Sequence, residues 1–141
     1  MTFETEADRL QKNGTVGALA LVGADGKVYW QTQNWQVEGA MIIDAWSKKA
    51  GSIIIQGVKY STIDITNNRL VCTNVQQQGH IVIAKTPFWQ GFVMAWCSPA
   101  NPVRMAYVDI AKLASEVKPG LNLFLQKNGS LMNRFPVTLF L

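Results

Sequence analysis

The residue types able to make or break bonds are few in this chain and stand apart. One histidine, His80, and two cysteines, Cys72 and Cys97, are all that a zinc centre or a histidine-dependent nucleophile could draw on. A zinc centre takes three or four such ligands at close spacing. Each cysteine lies within an apolar run, and neither belongs to a Cys-x-x-Cys pair or a histidine-rich cluster. Buried, reduced thiols are therefore favoured over a disulfide. Asp44 and Asp64 have no carboxylate partner at a spacing that sequence can pair for acid–base work, and Ser61 and Ser98 lack a nucleophile elbow. No phosphate-binding loop or dinucleotide fingerprint is present, since residues 14–23 hold only widely separated glycine turns. The expected chemistry is non-covalent recognition, with no catalysis, no metal and no cofactor.

Recognition needs surface, and the charges suggest where it lies. The chain has 13 basic and 9 acidic side chains, a formal net charge of +4. Residues 1–50 carry five basic and six acidic groups, whereas residues 51–141 carry eight basic and three acidic, so the second part is +5. A basic face there would steer an acidic partner or meet a phosphoinositide surface; an ordinary solvated basic domain is the competing reading. Nucleic acid is not an expected partner.

Those side chains must be positioned by elements legible in the pattern. Thr2 can cap a helix whose apolar residues Phe3, Ala7 and Leu10 recur at helical spacing, with Glu4 and Glu6 in the first turn where the dipole favours them. Residues 16–22 and 28–32 are apolar runs of strand length around Asp25-Gly26, which predicts a hairpin. Residues 35–49 place Val37, Met41, Ala45 and Trp46 on one side, predicting a second helix stopped by Gly51. Five strands are then expected at about residues 52–56, 58–65, 69–75, 80–86 and 88–97, divided by turn-forming residues. The last of them is the most apolar and should be central or face an interface.

A final helix is predicted from Val103 to Val117. Its buried stripe is Val103, Ala106, Tyr107, Ile110, Leu113, Ala114 and Val117, leaving Arg104, Met105, Val108, Lys112 and Ser115 outward. That mixed outer face is a candidate for partner contact, or a lightly apolar solvated surface. Residues 119–141 change composition and read as a C-terminal extension, either a hairpin around Asn128-Gly129 or a tail. Pro136 would keep the second limb at a sheet edge.

At 141 residues, 48% apolar and 16% charged, the chain has material for one core. No window reaches the roughly 18 to 20 apolar residues of a membrane span, and residues 1–12 are acidic and polar, unlike a signal peptide. A cytoplasmic protein is expected.

Three phrases carry a family likeness. Gly23-Ala24-Asp25-Gly26-Lys27-Val28-Tyr29 resembles the profilin hairpin G-x-D-G-x-V-W. Ile53-Ile54-Ile55-Gln56-Gly57-Val58-Lys59-Tyr60 resembles the profilin L-x-L-x-G-x-K-Y hairpin, and His80-Ile81-Val82-Ile83-Ala84-Lys85-Thr86 resembles its G-V-x-I-x-K-T strand. The three stand in the family's order and spacing, and the similarity covers roughly residues 2–117. It implies an α+β fold for residues 1–118: a central antiparallel sheet of six to seven strands, the N- and C-terminal helices on one face and the middle helix on the other.

The resemblance also implies a function. A profilin binds monomeric actin or an actin-like protein and regulates filament assembly, acting as a cytoskeleton-associated monomer. Mapped onto this chain, the actin-binding set is Arg69, Lys85, Asn101, Arg104, Met105, Val108 and Lys112. Family members also grip proline-rich segments in an aromatic groove, for which the counterparts are Phe3, Tyr29 and Trp30. That match is partial: Thr2-Phe3 replaces Ser-Trp, and the last helix lacks an aromatic near its end. Cys72 and Asn74 stand where the family often has basic residues, which weakens the phosphoinositide expectation. The rival is a roadblock or longin-like scaffold, which dimerises and docks a small GTPase. It shares the first hairpin but normally has three strands after the second helix.

Overall fold

Thr2 begins the first helix by a reciprocal cap. Its Oγ1 accepts from Thr5 N at 3.2 Å while its own N–H donates to Thr5 Oγ1 at 3.1 Å. Two orphan donors of the first turn are thereby satisfied. The structure, a computed structural model, describes residues 2–119. Among these the elements run α1 (Phe3–Lys12), β1 (Ala18–Gly23), β2 (Val28–Gln31), α2 (Gly39–Ser47), β3 (Ser52–Ile55), β4 (Val58–Ile65), β5 (Arg69–Thr73), β6 (His80–Lys85), β7 (Gly91–Cys97) and α3 (Val103–Ser115). The hairpin or tail expected in residues 119–141 lies, beyond Pro119, outside the described residues.

The strands form one antiparallel sheet in the order β2-β1-β7-β6-β5-β4-β3. Alternation divides each strand between two cores. Leu19, Leu21, Val82, Val93 and Ala95 pack with Phe3, Ala7 and Leu10 of α1 and with Ala106, Ile110 and Leu113 of α3. Ala20, Val22, Ile53, Ile55, Leu70, Ile81, Ile83 and Met94 pack on the other face with Ile42 of α2. The expected layering, terminal helices on one face and middle helix on the other, is the observed one. β7 is central, between β1 and β6.

The turns follow from local chemistry. Gln56 and Gly57 both take positive φ (49° and 82°), the conformation that lets a two-residue turn match the twist of β3 and β4. In the first hairpin Gly26 sits at φ 87° and donates to Gly23 O, while Asp25 Oδ1 accepts from Lys27 N at 3.0 Å.

Several element boundaries differ from the sequence expectation. The middle helix starts at Gly39 rather than residue 35, because donors before it are claimed by side chains: Gln36 N donates to Gln56 Oε1 and Val37 N to Gln31 Oε1. Trp35 and Val37 are buried as loop residues. Lys49, at φ 54°, and not Gly51, makes the left-handed turn after that helix. Residues 88–90 are a turn rather than strand, since Thr86 Oγ1 donates to Trp89 O at 2.7 Å and to Gly91 O at 2.9 Å. The third expected strand also ends early, at Thr73, where Asn74 Oδ1 accepts from Gln76 N and Gln78 N and bends the chain.

Candidate functional site

The exposed large apolar side chains include Met105 and Val108 on α3, 65% and 47% exposed, and Ile63 on β4, 56% exposed. Val108 and Ile63 line one shallow cavity of about 560 Å³ with Val71, Val103, Tyr107, Asp64, Arg69 and Arg104. Ile63 points outward because the β4–β5 register slips there: Thr62 pairs with Cys72 and Asp64 with Val71, leaving Ile63 unpaired between them.

Arg69 organises the floor. Its Nε bonds Asp64 Oδ2 at 2.5 Å, and its guanidinium carbon lies 5.7 Å from the centre of the Tyr107 ring. The Asp64 carboxylate, by that hydrogen bond first and its charge second, pushes the Arg69 pKa further up. The planar cation is thus fixed against both β4 and α3. Arg104 is exposed at the cavity rim and makes no ion pair among the described residues. The arrangement offers apolar area ringed by cations, suited to a protein surface rather than to covalent chemistry.

The other members of the expected actin-binding set lie elsewhere. Lys112 is exposed two turns beyond Arg104, and its charge reaches α1, where it helps hold Glu6 ionised. Asn101 is a clip: its Nδ2 donates to Gly14 O and Thr15 O at 3.1 and 3.2 Å, tying the approach to α3 to the turn after α1. Lys85 shares the strand face of Ile81 and Ile83, so it opens on the α2 side of the sheet, away from Arg69 and Arg104. Sequence reasoning missed Ile63 and Val71 and assigned Tyr107 wholly to the core, where it is in fact partly buried at the cavity. Only the bulge exposes Ile63, and no residue pattern announces it.

The expected proline-groove residues separate too. Phe3 and Trp30 are 1% and 3% exposed and meet edge to face, centroids 5.6 Å apart, inside the α1–α3 core. This corrects the expectation that their ring faces line an open groove; their burial supplies packing. Tyr29 is half-buried at the bulge where Val22 pairs with Val28, its ring edge-on to Trp89 at 5.2 Å and its hydroxyl donating to Asp25 Oδ2 at 3.2 Å. Burial, then the Asp25 charge, raises the Tyr29 pKa. Among the described residues no group of His, Cys, Asp and Glu converges as a metal site, and no helix is long and apolar enough to cross a membrane.

A seven-stranded antiparallel sheet with terminal helices on one face and a mixed apolar and cationic patch on the last helix defines a small protein-recognition domain. The Profilin family model matches residues 1–118, and the chain belongs to the profilin family. It is 40% identical over 117 residues to the Odin profilin of Odinarchaeota yellowstonii (strain LCB_4), covering 83% of this chain and 97% of that one. To the Heimdall profilin of Heimdallarchaeota archaeon (strain LC_2) it is 37% identical over 122 residues, covering 84% and 99%. Among solved structures it is similar to LokiProfilin2 in a complex with rabbit actin, with a TM-score of 0.72, 27% identity and coverage of 80% of this chain and 92% of that one. The crystal structure of LokiProfilin1 gives a TM-score of 0.71 at 27% identity, with the same coverage.

Proposed function

We propose that this protein binds monomeric actin or an actin-like protein and regulates filament assembly stoichiometrically, as a monomer in the cytoplasm. The observation that carries this reading is the exposed Ile63 and Val108 beside Arg69 and Arg104, with Met105 exposed on the same helix, in a chain similar to a profilin solved in complex with rabbit actin. Met105 and Val108 supply area to desolvate, and the cations orient an acidic surface. Occupying one end of the monomer blocks addition there and leaves the opposite end free for delivery to a filament. Lys112 extends the patch along α3; Lys85 and Asn101 contribute only if the partner reaches around the sheet or over the α1–β1 turn.

The scaffold alternative is disfavoured by five strands after α2, where a roadblock-like domain normally has three. Proline-rich ligands, as a secondary activity, would meet Tyr29 and Trp89 rather than the buried Phe3 and Trp30.

The test is assembly of pyrene-labelled actin with increasing protein, comparing the parent with Val108→Asp and Arg104→Glu. The parent slows spontaneous assembly in proportion to its concentration. Val108→Asp weakens the effect about 10- to 100-fold, because an unpaired carboxylate would be buried in an apolar contact. Equal inhibition by parent and both variants would remove this face from the interaction.

A further inference from the structure

We propose that the groove between α2 and the β6–β7 turn is a second docking surface, which takes an extended acidic segment of a partner protein anchored by one aromatic or large aliphatic side chain. This goes beyond actin binding and rests on a different face of the sheet. The groove encloses about 600 Å³, within the range of sites that hold a bulky side chain. Ile43, Trp46 and Phe92 give it an apolar wall. Trp46 is held rather than loose: it meets Phe92 edge to face at 5.6 Å, and its Nε1 donates to Thr66 O at 2.7 Å. An incoming side chain therefore meets a preformed surface and orders little on binding.

The rim commits the occupant's charge. Lys49 and Lys85 line the groove, no aspartate or glutamate does, and neither lysine makes an ion pair among the described residues. The adjacent Lys48 is different, paired with Asp44 at 3.1 Å on the outer side of α2. Two unneutralised ammonium groups beside an apolar trough favour carboxylates flanking an apolar anchor and oppose a basic segment. Because Lys85 opens on the α2 face while Arg69 and Arg104 line the cavity beneath α3, the segment and the actin-like partner occupy different faces.

Trp46 in the wall supplies the readout. The full chain is titrated with a synthetic hexapeptide, Glu-Asp-Phe-Leu-Asp-Glu, blocked at both ends, and with its counterpart bearing lysines in place of the acidic residues, following tryptophan emission. The acidic peptide gives a saturable change that high salt weakens, and the lysine peptide gives none. The double variant Lys49→Glu/Lys85→Glu weakens acidic-peptide binding about tenfold or more, with an unchanged near-ultraviolet circular dichroism spectrum. Asn67→Lys, which adds a cation to the rim, tightens it severalfold, a gain that misfolding cannot imitate. Val108→Asp leaves peptide binding intact, which separates this surface from the actin-binding reading. No saturable change up to millimolar peptide, equal binding by the double variant, or binding to anionic lipid vesicles without peptide binding would each overturn the proposal.

Discussion

Arg69 of β5 lies over the ring of Tyr107 of α3, its guanidinium carbon 5.7 Å from the ring centre, while Asp64 of β4 holds its Nε at 2.5 Å. The consecutive strands β4 and β5 are thereby joined to α3, distant in sequence, at the floor of the proposed partner surface. The cation is positioned before any partner arrives, so its side-chain entropy is already spent.

Removing the ring should disturb binding more than folding. Tyr107→Ala deletes the ring beneath the guanidinium and leaves Arg69 anchored only by Asp64. The expected outcome is weaker inhibition of actin assembly and a lowered thermal midpoint. Tyr107→Phe keeps the aromatic face toward the cation and is expected to restore most of the inhibition. Lys replacing Arg69 should not substitute, since a compact ammonium lacks the extended guanidinium that bonds Asp64 through Nε while its carbon lies over the Tyr107 ring. Pyrene-actin assembly with thermal melts of the four proteins checks this.

The seat of α2 gives a second expectation. A Cβ added at Gly39 would collide with Gly26 O and lie 2.7 Å from Val22 Cγ1. Backbone and a strand side chain cannot both retreat, so Gly39→Ala is expected to cost about 1–3 kcal/mol by overpacking. Gly51→Ala, with open space around its Cβ position, is the control and should change stability little. Chemical denaturation of both variants measures the difference.

Much of this architecture could be read from residue order because periodicity reports burial. Phe3, Ala7 and Leu10 recur at helical spacing, and all three are buried under α1. The central place of β7 follows from its unbroken apolar run, which only a strand covered on both faces can use. The failures are tertiary. Trp35 and Val37 fit a helical stripe, yet Gln31 and Gln56 capture the backbone donors a helix would need. Strand parity turns Lys85 to the face opposite Arg69 and Arg104, so the expected actin-binding residues do not form one continuous patch. Ile63 is exposed by a bulge whose cause lies in the pairing of two strands.

Both thiols are expected to be inert in the folded protein. Burial raises Cys72 to about 11 and Cys97 to about 12, from an ordinary value of 9.0. Thiolate, the reactive form, is therefore scarce at neutral pH. A chromogenic disulfide reagent at pH 8 should find no fast-reacting cysteine among the two until denaturant is added. A thiol raised on folding stabilises while it stays protonated, so this contribution is full below about pH 9 and is lost as pH rises through the folded values. Stability of the parent should decline above pH 9, and a Cys97→Ala variant should decline less steeply.

Glu6 sets the acid side of the profile. It is 3% exposed on the buried face of α1, yet it is ionised, because Arg9 grips it with two hydrogen bonds at 2.6 and 2.9 Å. The Arg9 hydrogen bonds lower its pKa from 4.5, against the opposing pull of burial, and the charges of Arg9 and Lys112 add to the lowering. A carboxylate depressed on folding stabilises when ionised, so its contribution is present above pH 4.5 and is lost as pH falls through the lowered folded value. Arg9→Ala leaves the carboxylate buried without its main partner and should make the protein less stable at pH 7 than Glu6→Gln does. The penalty of Arg9→Ala should shrink as pH falls and Glu6 protonates, and Glu6→Gln should likewise flatten the stability profile below pH 4.5. Denaturant midpoints for the parent and both variants across that range decide it; parallel profiles for all three would show that the pair holds no proton-linked stability.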